Sequence, residues 1–260
     1  MKNIIIIVNF ILSSLFITRA QTMVEINQKA QQVVFDALGN LYLINDVELF
    51  KYNASGLLVN RFSWSLNGTI HSVDVANVMQ VLVFYKEAGL VSFLDRELVQ
   101  LSDPFETYAV FGSEISRVCA SSSGGFWAYS PEQQKLFRVN DQRKILVETQ
   151  PLNQWIGKNN VNAIYENNQK VYLNCQNKLL VFDLFGAYLS TIHRENIQRV
   201  FFSEKHLIIY DGSRLYQMQA PFLQQQDQLI TLPTTSIDLA WKKNNIAILT
   251  EDKVLIYNNK

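Results

Sequence analysis

Short apolar runs alternate with polar turns along nearly the whole chain, and no sustained three- and four-residue spacing of an amphipathic helix interrupts them. This pattern predicts an all-β protein. The stretch VFDALGNLYLIND, residues 34–46, is the clearest instance: two apolar runs flank the turn Leu38-Gly39-Asn40. Extended to residue 62, it predicts four strands, at 33–36, 41–44, 48–52 and 57–62. Turns fall at Gly39-Asn40, Asn45-Asp46 and Ala54-Ser55-Gly56. Gly and Asn suit these positions because both tolerate the positive φ of tight hairpins.

The same order of strand and turn recurs down the chain. Aligning the second strand of each unit at Leu41, Val81, Phe126, Val171, Leu207 and Ile246 gives spacings of 36 to 45 residues. A four-stranded unit repeated near 40 residues is the mark of a β-propeller, whereas the shorter leucine-rich, tetratricopeptide and ankyrin periods do not fit. A β-sandwich would give no reason for the regular spacing. The expected architecture is therefore a six-bladed β-propeller, with blades at about 32–62, 71–101, 115–149, 161–193, 197–232 and 236–260. The sixth unit lacks a fourth strand. The strand-like piece at 22–27 is expected to supply it, which closes the ring and leaves no open sheet edge there.

In FDALGNLYLIND an Asp ends the inner strand, Gly-Asn forms the turn, and an aromatic-containing strand runs to a second Asp. These features resemble six-bladed propellers of the NHL and TolB-like kind. The resemblance covers the chain beyond residue 20 as architecture. It implies the fold and carries no family's activity, because the other units replace Gly-Asn with Gly124-Gly125, Gln169-Lys170, Lys205-His206 and Asn244-Asn245.

The first twenty residues break the pattern. Lys2 precedes a mostly apolar run from Ile4 to Ile17, and Thr18-Arg19-Ala20 places small residues where a signal peptidase needs them. This reads as a secretory signal peptide cut near Ala20–Gln21, and the run is shorter than the ~20 residues of a membrane span. The expected location is periplasmic or secreted, with no transmembrane segment after cleavage. Export makes a disulfide between Cys119 and Cys175 conceivable, but both sit in or beside buried strands of different units, which favours free thiols. Asn53-Ala54-Ser55 and Asn67-Gly68-Thr69 match the N-glycosylation triplet.

Lys plus Arg and Asp plus Glu both total 23. This balance argues against a nucleic-acid binder and against a polybasic membrane-surface protein. Candidate chemistry is sparse. The three histidines, His71, His193 and His206, form no metal-spaced cluster, and there is no P-loop, EF-hand or nucleophile elbow. No catalytic residue, metal ligand or cofactor is assigned. His71-Ser72-Val73-Asp74 holds the residue types of a hydrolytic triad, yet neighbours on a strand alternate faces, so adjacency makes no relay. Asp36, Glu166 and Asp74 are the acids nearest the inner strands. Propeller lactonases hold calcium with such acids, but Asp36 and Glu166 fall at the far ends of their strands.

Two sets of residues remain as contact candidates. Counting nine residues back from the aligned second-strand positions reaches Gln32, Ser72, Arg117, Asn162 and Gln198, with Asp238 beside the sixth position. They form a polar ring at the expected channel mouth, suited to a small polar ligand or to ordered water. Asp74 lies among apolar neighbours and needs a partner, either Arg117 or a backbone group. The expected blade-to-blade links, 63–70, 102–114, 150–160, 194–196 and 220–235, carry Trp64, Tyr108, Phe111 and Trp155, which serve either as a contact surface or as plugs between blades. The expected function is an exported, monomeric, non-catalytic binding or scaffolding module with a protein partner in the cell envelope. The alternative is a propeller hydrolase or lyase, metal-assisted or not, with its site at the channel mouth.

Overall fold

The computed structural model describes residues 22–157, 160–203, 206–219, 226–231, 236–243 and 245–258. The signal-peptide reading of residues 1–20 lies outside them. Six four-stranded antiparallel sheets are arranged as a six-bladed β-propeller. An N-terminal strand, β1 (Thr22–Ile26), belongs to the last blade. Blade 1 contains β2 (Gln32–Phe35), β3 (Leu41–Asn45), β4 (Glu48–Tyr52) and β5 (Leu58–Ser63). Blade 2 contains β6 (Ser72–Asp74), β7 (Val81–Tyr85), β8 (Leu90–Leu94) and β9 (Phe105–Glu106). Blade 3 contains β10 (Arg117–Ala120), β11 (Phe126–Ser130), β12 (Lys135–Val139) and β13 (Ile145–Glu148). Blade 4 contains β14 (Ala163–Asn167), β15 (Lys170–Asn174), β16 (Lys178–Asp183) and β17 (Tyr188–His193). Blade 5 contains β18 (Arg199–Phe202), β19 (His206–Tyr210), β20 (Arg214–Gln219) and β21 (Gln226–Thr231). Blade 6 contains β22 (Asp238–Lys242), β23 (Asn245–Leu249) and β24 (Val254–Asn258), with β1 outermost.

Two segments read as links from the sequence contain strands. Residues 102–114 hold β9 and a short helix, α1 (Thr107–Phe111), because Gln100 makes only an isolated bridge to Leu94 and regular pairing resumes at Phe105. Residues 220–235 hold β21, and the rest of that segment lies outside the described residues. Another short helix, α2 (Asn153–Ile156), lies between blades 3 and 4. Among the described residues no helix is long and apolar enough to cross a membrane.

The core follows from the strand period. Each sheet shows both faces to its neighbours, so the second strands are apolar at nearly every position: β7 (VLVFY) and β11 (FWAYS) are buried throughout. Among the described residues the buried apolar side chains form six clusters, one at each blade-to-blade seam. Each fully buried Val, Leu or Phe contributes about 1.5–3 kcal/mol, so no blade is expected to hold its shape without both neighbours. In blades 1, 3, 4 and 5 the register slips by one residue between the third and outer strands. Such bulges increase twist and turn the outer strand away from the channel direction. Gly125 is required in the first turn of blade 3: it has φ 71°, and a Cβ there would lie 1.8 Å from the Val139 carbonyl oxygen.

Cys119 and Cys175 are free, buried, and in the same cluster between blades 3 and 4. The Asn67 side chain of the second triplet is buried, while the Asn53 side chain accepts hydrogen bonds from the Ser55 and Leu57 N–H groups in an exposed turn.

Ring closure is the expected one. β1 pairs antiparallel with β24 from Thr22 opposite Asn258 to Ile26 opposite Val254. Ile26 and Val24 join the cluster between blades 6 and 1, and a Cβ on Gly56, in the outer turn of blade 1, would lie 2.4 Å from Val24 Cγ1. Deleting residues 22–26 strips the outer strand from blade 6 and uncovers this seam. The deletion variant should melt at least ten degrees below the parent by circular dichroism, and an unchanged melting curve would contradict the closure.

Candidate functional site

The six inner strands β2, β6, β10, β14, β18 and β22 surround a central channel of about 480 Å³. One end of the channel is built by the links that enter the inner strands and by the turns between second and third strands. Gln32, Ser72, Arg117, Asn162 and Gln198 all line the channel near that end, and His71 joins them. Asp238 starts β22 but is buried away from the lumen.

Pairing register explains which of these positions are equivalent. In blade 1 Leu41 pairs with Phe35, and in blade 3 Phe126 pairs with Ala120. In blades 4 to 6 the first turn is one residue shorter: Val171 pairs with Glu166, Leu207 with Phe202 and Ile246 with Trp241. Blade 4 achieves this with Asn168 and Gln169 at φ 48° and 59°, the two-residue hairpin that needs positive φ at both central positions. A constant count of nine therefore stops one residue early in these blades. The equivalents of Gln32, Ser72 and Arg117 are Ala163, Arg199 and Asp238. Arg199 escaped the sequence reading, and the shorter turn between β18 and β19 was the available signal.

At or beside the inner strands, a polar side chain crosses every seam. Gln32 Nε2 donates to the His71 carbonyl oxygen at 2.8 Å, tying blade 1 to blade 2. Asp74 Oδ2 accepts the Ala120 N–H of blade 3 at 3.0 Å, and its Oδ1 accepts the Ala76 N–H at 2.8 Å, so its partners are backbone groups and not Arg117. Arg117 Nε donates to the Asn162 carbonyl oxygen at 2.5 Å. Across the same seam Glu166 accepts from the Ser122 N–H at 2.9 Å, from the Ser122 hydroxyl, and from Trp127 Nε1 at 2.6 Å. Asn174 Nδ2 donates to the Ile197 carbonyl oxygen at 3.1 Å between blades 4 and 5. Arg199 Nη2 lies 2.5 Å from Asp238 Oδ2, joining blades 5 and 6, and the same oxygen accepts the Val33 N–H of blade 1 at 2.9 Å.

This bonding has electrostatic consequences. Burial pushes the Asp74 carboxyl up despite its two N–H donors. Burial also pushes Asp238 up, opposed by the Arg199 charge and by the Val33 and Leu239 N–H groups. Arg117 is drawn down by burial. His71 is pulled to about 4, first by burial and then by the Arg117 and Lys86 charges, and its ring meets Phe84 edge-on at 5.7 Å. At neutral pH it is an uncharged imidazole. Asp36 is buried at the far end of β2, where it accepts the Leu38 and Asn40 N–H groups and the Tyr42 hydroxyl. Among the described residues no group of three or more His, Cys, Asp or Glu is placed to hold a metal ion.

The link aromatics divide. Trp64 packs on the cluster between blades 1 and 2. Phe111 is buried between blades 2 and 3 against Phe105, Phe126 and Phe137. Trp155 stacks on Tyr188 with ring centroids 4.8 Å apart. These three fill seams. Tyr108 stands 69 % exposed on α1, and Leu66, on the short turn Ser65–Asn67, is 89 % exposed. Leu66 carried no sequence signal, since a lone leucine in a loop is unremarkable until its surroundings are known.

No family model matches the chain, and no curated protein matches it. Solved structures do. A streptogramin B lyase is similar with TM-score 0.63 and 8 % identity, over 92 % of this chain and 97 % of that one. Virginiamycin B lyase from Staphylococcus aureus gives TM-score 0.62 and 10 % identity, over 92 % of this chain and 100 % of that one. The Pan2 WD40 domain from Neurospora crassa gives TM-score 0.63 and 8 % identity, over 89 % and 90 %. At these identities the likeness is one of fold alone, shared by lyases and by a WD40 domain.

The neutral state of His71 sets a pH dependence. The unfolded chain takes up the imidazole proton near the ordinary 6.5 and the folded chain only near 4. The stability contributed by the neutral ring is thus complete above pH 6.5 and is lost as pH falls toward 4. His71→Gln should lose several degrees less melting temperature than the parent between pH 7 and pH 4.5. Parallel losses in the two proteins would contradict the assignment.

Proposed function

We propose that the protein is an exported, non-catalytic β-propeller that binds a protein partner through the face carrying the channel mouth. One observation carries this reading: the side chains best suited to chemistry are engaged in holding blades together, while large apolar side chains stand free on the links of that face. Asp74, Glu166, Arg199 and Asp238 each bond to a neighbouring blade. Leu66 and Tyr108 are exposed on the links entering blades 2 and 3. Exposed Tyr and Leu on a rigid frame bury much area at small entropic cost, and Tyr is enriched among residues that dominate interface energies. Export rests on the apolar run Ile4 to Ile17 with Thr18-Arg19-Ala20 behind it, and places the partner in the cell envelope or outside the cell.

The test is affinity purification from cross-linked native envelopes, comparing the parent with Leu66→Ser/Tyr108→Ala. Both positions are exposed, so the variant should melt within a few degrees of the parent. A specific partner should be recovered with the parent and reduced roughly tenfold or more with the variant. Equal recovery would overturn the reading. Recovery of no partner, with turnover of a small molecule by the purified protein, would favour a hydrolase or lyase acting at the channel mouth.

A further inference from the structure

We infer that the channel mouth binds a small organic monocarboxylate, with the Arg117 guanidinium as its anchor. Among the described residues Arg117, Arg199 and Lys242 line the channel; Lys242 ends β22, at the far end from the mouth, and the circumstances of the two arginines differ. Arg199 is neutralised by Asp238 at 2.5 Å. Arg117 is half-buried, donates only to the Asn162 and Ser116 carbonyl oxygens, and has no carboxylate within ion-pair distance among the described residues. Those two bonds use two of its five N–H donors. The carboxylates that share the cavity, Asp74 and Glu166, lie further along their strands and are occupied by N–H donors from blades 2 and 3. Arg117 is thus a partly desolvated guanidinium at the mouth with no ion-pair partner among the described residues, which favours a negatively charged group from a ligand.

The neighbouring side chains define the rest of the ligand. The Ser72 hydroxyl and the Asn162 and Gln198 side-chain amides line the same cavity and have no partner among the described residues. They add donors and acceptors to the cavity that the guanidinium lines, and its planar fork matches a carboxylate in two-point contact. Val34 and Phe201 supply half-buried apolar wall. A space of about 480 Å³ is much larger than an inorganic ion and falls within the range of small-molecule pockets. Charge, donors, wall and volume agree on an organic acid with one carboxylate. The inference does not rest on the protein-contact reading, since neither Leu66 nor Tyr108 lines the cavity.

The test is saturation-transfer NMR and calorimetry on the purified protein, with acetate, lactate, benzoate and N-acetylglycine as probes, and with benzamide and inorganic phosphate as controls. At least one carboxylate should bind saturably, and benzamide should bind at least tenfold more weakly than benzoate if benzoate is the carboxylate bound. Arg117→Gln should reduce carboxylate binding at least tenfold. Because Arg117 also ties blade 3 to Asn162, Ser72→Leu serves as a second variant: it fills the mouth, leaves the bonds of Arg117 in place, and should reduce binding to a similar degree. The inference is overturned if no carboxylate binds, if Ser72→Leu or a folded Arg117→Gln binds as the parent does, or if phosphate competes as well as the carboxylates.

Discussion

A single carboxylate oxygen, Asp238 Oδ2, joins three blades. It lies 2.5 Å from the Arg199 guanidinium of blade 5 and accepts the Val33 N–H of blade 1, while its own strand opens blade 6. This is the seam region where the chain must meet its own beginning. A propeller gains its hydrophobic stabilisation only when every blade is covered on both faces, so the last seam completes the burial of two blades at once. Burial of an unpaired carboxylate there would cost several kcal/mol. Paired with Arg199 and the N–H of β2, it instead fixes the depth at which blade 6 sits against its neighbours. The other four seams repeat the principle with cheaper groups, chiefly side chains to backbone: Gln32 to His71, Asp74 to Ala120, Arg117 to Asn162 together with Glu166 to Ser122 and Trp127, and Asn174 to Ile197.

That bonding explains why polar residues near the inner strands divide into two kinds. Those whose atoms reach the next blade are structural, and their ionisation is governed by burial and by the neighbouring backbone. Those that stop short, Ser72, Asn162 and Gln198, leave donors along the lumen that Arg117 also lines. The ring is thus both a clasp and, on the side of blades 2 to 5, a surface with unspent hydrogen-bonding capacity. The links on the same face add Leu66 and Tyr108 outside the channel.

Much of the fold is legible in the sequence because propeller blades repeat and their second strands are apolar at almost every position. The closing strand is legible too, since 22–26 is an isolated apolar piece and the last unit lacks a partner for β24. The site is less legible, for two physical reasons. The first turn loses one residue in blades 4 to 6, so a fixed count slides from Arg199 to Gln198 and from Asp238 to Ile237. Side-chain direction is also unreadable from composition: Trp64, Phe111 and Trp155 look like contact aromatics in their loops, yet each reaches back into a seam. Blade 2 hides its outer strand because only Phe105 and Glu106 pair, and two residues give no period.

The central claim is that the inner-strand polar groups hold the ring as one closed circuit, with Asp238 as its joint. Hydrogen-exchange mass spectrometry of Asp238→Leu tests it most directly. The account predicts faster exchange than in the parent at β18 and β2, the neighbours on either side, as well as at β22. Faster exchange confined to β22, with β18 and β2 protected as in the parent, would contradict it.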